Sequence, residues 1–462
     1  MEHYKLKKWI KRVALGFLAL LLIYALGRFI DVYLGSFYTG NRAPYLMMPA
    51  PDAMTLRWQT RQKGLGQIRY GRSLAQLDHL ATETSAAEEH ELRLQGLEPG
   101  RRYYYQIENK LDDGATQTLY AGKSYWFMTS PETGQTVSVR FAVLGDPGQA
   151  GEVQIQVRDA LMTWLAENPR PDRNRAYLDL LLTTGDNAYR SGTNKQFQKG
   201  FFTPYASILK NVPVWPAYGN HDARRWAFFD IFSLPSKAES GGLASGTEHY
   251  YSFDYANVHF IMLDSTASSM AVGSKMLDWL QRDLAASTQK WVITAFHHPP
   301  YSHGSHDSDN HHDSGGRMLD MRKNVLPILE AGGVDLVLSG HSHMYERSWL
   351  MRCHYGDSST LQADMLLERT LGSTHPYKKP GRDGFSGTVY MVIGSSSKHD
   401  QGSLDHPAMA VSLAEAGSVL VDINNNIMTA RFISKDGLVA DQFSILKTPA
   451  TGHAMSCGSL TP

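Results

Sequence analysis

Cysteine is nearly missing from this chain of 462 residues: only Cys353 and Cys457 occur, too few for a disulfide framework and at no zinc-finger spacing. One bridge between them or two unpaired thiols both stay open, because sequence does not show whether their Cα atoms approach within the ~7 Å that a disulfide needs. Net charge is missing too. Lys plus Arg and Asp plus Glu both number 45, so no broad basic field draws in nucleic acid, and polynucleotide substrates are disfavoured. No Asn-x-Ser/Thr acceptor occurs, which for an exported chain points towards a bacterial envelope. Internal repeats and low-complexity segments are also lacking. What remains is 42% hydrophobic residues, enough for two or three packed domains, and 19 histidines, the side chain that most often binds metals and carries protons near neutral pH.

The N-terminus reads as an export element. Lys5, Lys7, Lys8, Lys11 and Arg12 precede an uncharged run at 13–27 that Arg28 closes. The run is shorter than the ~20 residues of a usual membrane span, which suits a cleaved signal, with small residues near Ala25 and Gly27. Apolar character resumes from Phe29 onwards, so an uncleaved anchor is the alternative. From about 43 to 129 apolar and polar residues alternate as in strands, Met54, Leu56 and Trp58 among them, with turn signals at Pro51-Asp52 and Pro99-Gly100. Short strands at this spacing suggest a fibronectin type III-like β-sandwich, and nothing in it carries a metal or catalytic pattern.

Beyond a polar link at 130–135 the period changes. Apolar strand-like runs at 139–144, 178–182, 259–263, 291–296 and 334–338 alternate with helical patterns at 153–167, 275–286 and 317–331, and strands return at 387–446. This alternation implies an α/β core. Five strand exits carry metal-type side chains: Gly145-Asp146-Pro147-Gly148, Gly185-Asp186-Asn187-Ala188-Tyr189, Gly219-Asn220-His221-Asp222, His297-His298-Pro299 and Gly340-His341-Ser342-His343. Strand carboxyl ends border the ligand crevice of open α/β sheets, so groups far apart in sequence can meet there. Asp146, Asp186 and Tyr189 offer hard oxygen suited to a ferric ion; Asn220, His297 and His341 offer a mixed set suited to zinc, manganese or ferrous iron. With Asp186 bridging and His343 completing the first site, each ion has four protein ligands. Such a pair lowers the pKa of a bound water and clamps the oxygens of an in-line displacement, the chemistry of phosphoester hydrolysis.

This ordered series resembles the five blocks of the calcineurin-like metallophosphoesterases, and through Tyr189 the purple acid phosphatase branch. The resemblance implies a four-layer α/β/β/α sandwich behind the β-domain, ferric ligation by Asp146, Asp186, Tyr189 and His343, and divalent ligation by Asp186, Asn220, His297 and His341. It implies that His221 contacts phosphate and that His306 stands where the family has a leaving-group histidine, a candidate general acid. There are two departures: Asp222 stands where the family usually has Glu, which leaves the orientation of His221 open, and Thr294 replaces a usual Val. His298, His303, His311 and His312 read as solvated loop residues. Tyr345-Glu346-Arg347 reads as a brace for the last block, and 353–382 carries no motif.

The expected organisation is a signal or anchor at 1–40, the β-sandwich at 41–135, a catalytic domain with a closing β segment at 136–448 and a tail at 449–462. The expected function is hydrolysis of small phosphate monoesters by a metal-bound hydroxide, exported to a bacterial periplasm or envelope or secreted. Oligomeric state is not legible. The rivals are a phosphodiesterase with the same metals, and an envelope binding or adhesion module whose metal domain is inert.

Overall fold

All six residues of the Val139–Leu144 strand and all five of Trp291–Ala295 are buried, a pattern that only a sheet covered on both faces accommodates. The computed structural model describes residues 2–35, 38–172, 174–224, 226–452 and 457; Met1, residues 36–37 of the expected leader and most of the last ten residues of the expected tail lie outside them. Strands of this kind form two seven-stranded sheets. In one, Val214–Pro216, Leu180–Thr183 and Val139–Leu144 run parallel, followed by the antiparallel closing strands Gly417–Asn424, Ile427–Ser434 and Val439–Thr448. In the other, Val258–Met262, Trp291–Ala295, Leu336–Ser339 and Val389–Ile393 run parallel.

The two sheets pack face to face. Phe141 meets Phe260 edge-on at 5.3 Å between ring centroids, and Trp215 stacks on Phe253 at 3.7 Å. Successive strand residues point to opposite faces. Phe260 and Ile293 therefore join the inter-sheet core, while Ile261 and Val292 face outward onto the helices with Trp279, Leu280 and Leu329. With the Glu152–Glu167 helix outside the first sheet and Lys275–Ala286 outside the second, the order of layers is α/β/β/α.

The expected 317–331 helix is continuous but not uniform. Arg317–Asp320 passes through a π turn at Met321–Val325 into Leu326–Ala331. Pro327 has no N–H to return to the preceding turn, which is reason for the helix to widen there. The 353–382 stretch forms the short strand Leu366–Glu368 on Leu350–Met351, then crosses to the first sheet, where Tyr377–Pro380 pairs in parallel with Val439–Thr448. Cys353 and Cys457 are joined in a disulfide with their Cα atoms 5.6 Å apart.

The strand Tyr345–Ser348 belongs to the second sheet, yet its Arg347 forks onto Asp441 of the first, Nε to Oδ2 at 2.6 Å and Nη2 to Oδ1 at 3.0 Å, while the Tyr345 hydroxyl donates to the same carboxylate at 2.6 Å. Arg347 is fully buried. The N-terminal β-domain hinges on the long strand Ala53–Gly71, which pairs with Arg42–Met47 and Ala87–Gln95 at one end and with Arg102–Lys110 at the other. It is fastened to the larger domain by buried polar contacts: Arg57 donates to Ser233 Oγ and the Asp230 carbonyl, and Asn211 to the carbonyls of Ser124 and Trp126.

The N-terminal helix spans Glu2–Gly35. Its segment Leu6–Ile30, 25 residues with none of its apolar window buried, is long and apolar enough to cross a membrane, longer than the 13–27 run because Leu6, Trp9 and Ile10 extend it at the front and Phe29 and Ile30 at the back. It is compatible with a signal sequence or an anchor. Near its end Arg28 donates to Ser191 Oγ at 2.8 Å.

One buried cation merits a test. His259 sits between Asp254 and Asp283, 2.8 Å from each. Burial opposes its charge, but the bonds to the two carboxylates outweigh burial and push it up to about 9. The stabilisation is therefore complete below the ordinary histidine value of ~6.5 and is lost as pH rises through about 9. His259→Ala, which leaves the buried Asp283 charge without its cation although Ser252 and Leu243 still donate to it, is expected to cost about 3–5 kcal/mol near pH 6. Urea unfolding should show that deficit shrinking at alkaline pH; a deficit independent of pH would count against the charged triad.

Candidate metal centre

The parallel strands of both sheets end at the same edge, and their exits carry the side chains singled out above. Asp146 follows Val139–Leu144, Asp186 and Tyr189 follow Leu180–Thr183, and Asn220 follows Val214–Pro216. His297 follows Trp291–Ala295 in the second sheet, and His341 and His343 follow Leu336–Ser339. Asp146, Asp186 and His341 adopt left-handed backbone conformations, φ 52°, 52° and 66°, uncommon for residues other than Gly and concentrated at sites that need a side chain aimed against the run of the chain. The glycines beside them serve close approach. A Cβ on Gly219 would collide with the Asp186 amide and carboxylate, and one on Gly340 with the Asp146 carboxylate.

The structure brings all seven residues together. Donor atoms of Asp146, Asp186 and His297 lie within 4.8 Å of one another. On one side, the Tyr189 hydroxyl donates to Asp146 Oδ1 at 2.9 Å and lies 3.3 Å from His343 Nε2, itself 3.5 Å from Asp146 Oδ1. On the other, Asn220 Oδ1 lies 2.8 Å from His297 Nε2 and 3.1 Å from His341 Nδ1, and the two imidazole nitrogens are 3.2 Å apart. Asp186 stands between, with Oδ1 3.5 Å from His297 Nε2.

The outer nitrogens say which atoms hold lone pairs. His297 Nδ1 donates to the Thr184 carbonyl at 2.9 Å, and His343 Nδ1 to Asp400 Oδ2 at 2.5 Å, so in the neutral form of each ring Nε2 points its lone pair inward. Burial opposes the charged form, but the nearby carboxylates outweigh it and raise both histidines above the ordinary value, and the inward nitrogen is a position that a proton or a metal ion can hold. Lone pairs of Asn220, His297 and His343 thus converge with two buried carboxylates, a donor set that fits cations. Burial, reinforced by Asp146 and Asp186, raises the Tyr189 phenol well above its ordinary value, so only a cation at its oxygen would bring it to phenolate. Burial also drives His341 well below the ordinary histidine value, with the neighbouring imidazoles adding to it.

Each half carries one further histidine. His221 lies against Tyr189, ring centroids 4.4 Å apart, with Nδ1 2.8 Å from the Arg190 carbonyl and Nε2 3.8 Å from Asp186 Oδ2. His306 stacks on His341 at 3.9 Å, with Nδ1 held by Asp313 Oδ1 at 2.8 Å.

Three findings differ from the sequence reading. The Asp222 carboxylate takes no part in orienting His221, which the Arg190 carbonyl holds. Instead it accepts from Asn187 N and Nδ2, Ala188 N and Gly219 N, at 2.9–3.2 Å, and so ties the Asp186 turn to the Asn220 turn. His298 is not a solvated loop residue: it is buried, with Nδ1 2.9 Å from Ser265 Oγ and its ring 4.5 Å from that of His341. His303 is also largely enclosed, whereas His311 is half-exposed against Asp357. Asp400 and Asp313, which orient His343 and His306, were not found from sequence. Asp400 had a signal, since it follows the exit of Val389–Ile393 through Gly394; Asp313 had none.

A family model described as calcineurin-like phosphoesterase matches residues 139–345, and one described as purple acid phosphatase N-terminal domain matches residues 43–129. The chain belongs to the purple acid phosphatase branch of the calcineurin-like phosphoesterases. Among relatives of this branch, purple acid phosphatase 21 of Arabidopsis thaliana is 28% identical over 269 residues, which cover 56% of this chain and 53% of that one. Probable purple acid phosphatase 20 of the same plant is 24% identical over 325 residues, 66% of this chain and 68% of that one. The purple acid phosphatase from yellow lupin (Lupinus luteus) seeds shares the fold, with a TM-score of 0.70 at 17% identity over 91% of this chain and 77% of its own. The chain spans about half the length of the first of these curated relatives.

The Asp222 contacts generate an expectation for this branch's site. Asp222→Ala strands several buried donors, each costing about 1–3 kcal/mol when unpaired, and should lower the urea midpoint while loosening the Asp186 turn. An unchanged midpoint would show that the two turns hold without the carboxylate.

Proposed function

We propose that the chain hydrolyses phosphate monoesters with two metal ions held by the seven converging residues. The observation that carries this reading is the inward crowding of Asn220, His297, His343, Asp146 and Asp186, which a pair of cations neutralises. Asp146, Asp186, Tyr189 and His343 would hold a ferric ion, and Asp186, Asn220, His297 and His341 a divalent zinc, manganese or ferrous ion, in keeping with the hardness of each donor set. When bound, such a pair lowers the pKa of water and neutralises charge on a transferring phosphoryl group.

The chain's own groups supply the remaining parts. His221 borders the Tyr189 side and would contact a phosphate oxygen. His306 borders the His341 side; with its Nδ1–H donated to Asp313, the imidazolium form would give its Nε2 proton to the departing ester oxygen as water adds to phosphorus and the P–O bond breaks, leaving the ring neutral. A cavity of about 270 Å³ beside Tyr189, lined in part by Arg190 and Lys199, offers positive charge to a phosphate ester. The apolar N-terminal helix and the Cys353–Cys457 bridge favour work outside the cytoplasm, in an oxidising compartment, such as a bacterial envelope.

Elemental analysis, an optical spectrum and turnover of nitrophenyl phosphate test this together. Asp186→Asn should lose bound metal and turnover alike; full activity in that variant would defeat the bridging role. Tyr189→Phe should abolish any visible charge-transfer band with the fold intact, and persistence of the band would remove the phenolate from iron. Faster turnover of the bis(nitrophenyl) ester would assign a diesterase instead.

A further inference from the structure

A second convergence of donor atoms lies outside the centre just described and shares no residue with it. Donor atoms of His303, Asp309 and His406 lie within 4.8 Å of one another. The three come from two loops that leave different parts of the second sheet, the long loop after Trp291–Ala295 and the one before Met409–Leu413. His303 is oriented as histidines that bind metals are. Its Nδ1 faces Asp405 Oδ1 at 2.8 Å, so the N–H is spent on a carboxylate and Nε2 carries the lone pair, 3.5 Å from Asp309 Oδ2 and 3.6 Å from Asp307 Oδ1. His406 is 2% exposed, its ring 4.6 Å from that of His303. Both Nε2 atoms are buried, and neither has a hydrogen-bond partner among the described residues, a state that costs free energy in a protein interior.

Asp309 is fixed from behind, accepting from Arg322 Nη1 at 3.0 Å and from the Ser358 amide at 3.0–3.1 Å. The Ala408 amide lies 3.2 Å from His406 Nδ1, so coordination through Nε2 has His406 carry its proton on Nδ1 in place of that contact. Two imidazoles and one carboxylate, with the Asp307 carboxylate 3.6 Å from His303 Nε2 as a fourth donor, form a nitrogen-oxygen set that suits zinc.

We propose that His303, Asp309 and His406 form a third, structural metal site, selective for a borderline divalent ion such as zinc. Its place gives it a task. His303 and Asp309 each stand three residues from His306, so an ion bound to both and to His406 clips the loop that carries His306 to the 405–406 segment on either side of the residue.

The full chain, stripped with chelator and titrated with zinc chloride alone, tests this by metal per chain and by melting temperature against zinc concentration. Wild type should bind one zinc more than His406→Ala and one more than His303→Ala, a variant with a partly exposed side chain that serves if the buried one does not fold. Asp405→Asn, at an exposed carboxylate, should keep the stoichiometry and weaken this site about 10–100-fold. Asp186→Asn should leave this equivalent in place, which separates the site from the centre proposed for hydrolysis. Equal zinc content and equal affinity in wild type, His303→Ala, His406→Ala and Asp405→Asn would overturn the proposal.

Discussion

Three metal-type atoms crowd to within about 3 Å of one another in this interior, a spacing that a proton or a metal ion held among them stabilises. Asn220 Oδ1, His297 Nε2 and His341 Nδ1 are held at that separation, and beside them the buried carboxylates of Asp146 and Asp186 add negative charge. The surrounding protein is arranged to keep the groups there: the Thr184 carbonyl and Asp400 lock two rings, Asp222 binds two turns, and three residues take left-handed conformations that few side chains tolerate. With the proposed ions bound, such an arrangement would return the stability it withholds from the ion-free fold, coupling metal binding to folding.

The division of labour between the sheets follows from this constraint. Hard oxygen donors arrive mainly from the parallel strands of the first sheet, and imidazoles from those of the second. Neither sheet holds a complete donor set, and only the face-to-face packing of Phe141 on Phe260 and Trp215 on Phe253 brings both to one edge.

Legibility in the sequence tracks how local each signal is. The convergence of the seven residues was readable because each stands within a few residues of an apolar strand and after a turn, so strand, turn and metal-type side chain form a contiguous pattern. The helix Lys275–Ala286 and the strand Val139–Leu144 were readable to the residue for the same reason. The role of Asp222 was not, because its four donors come from residues 187, 188 and 219, and a neighbour in sequence, His221, offered a misleading partner. Asp313 and the His303, Asp309 and His406 cluster were hidden among loop histidines and acids whose spacing has no period. The N-terminal element expected at 1–40 is a single helix over Glu2–Gly35; its uncharged run at 13–27 is shorter than the apolar span Leu6–Ile30 because basic residues interrupt the first turns, although long cationic side chains can reach past an apolar surface.

The bond of Arg347 to Asp441 joins the sheets only a few residues from His343. Two flat layers in apolar contact offer little resistance to sliding, since dispersion and burial are indifferent to direction. A buried two-pronged ion pair is not indifferent, because its geometry fails within a fraction of an ångström. Slippage of one layer over the other would pull the oxygen half of the site from the nitrogen half and spoil the spacing of a bimetallic cluster. With the other buried polar contacts between the sheets, such as Lys379 on Asp335 and the Tyr251 hydroxyl on the Pro216 carbonyl, this arginine acts as a dowel pin, setting the alignment tolerance within which two distant halves of the polypeptide would share a pair of ions.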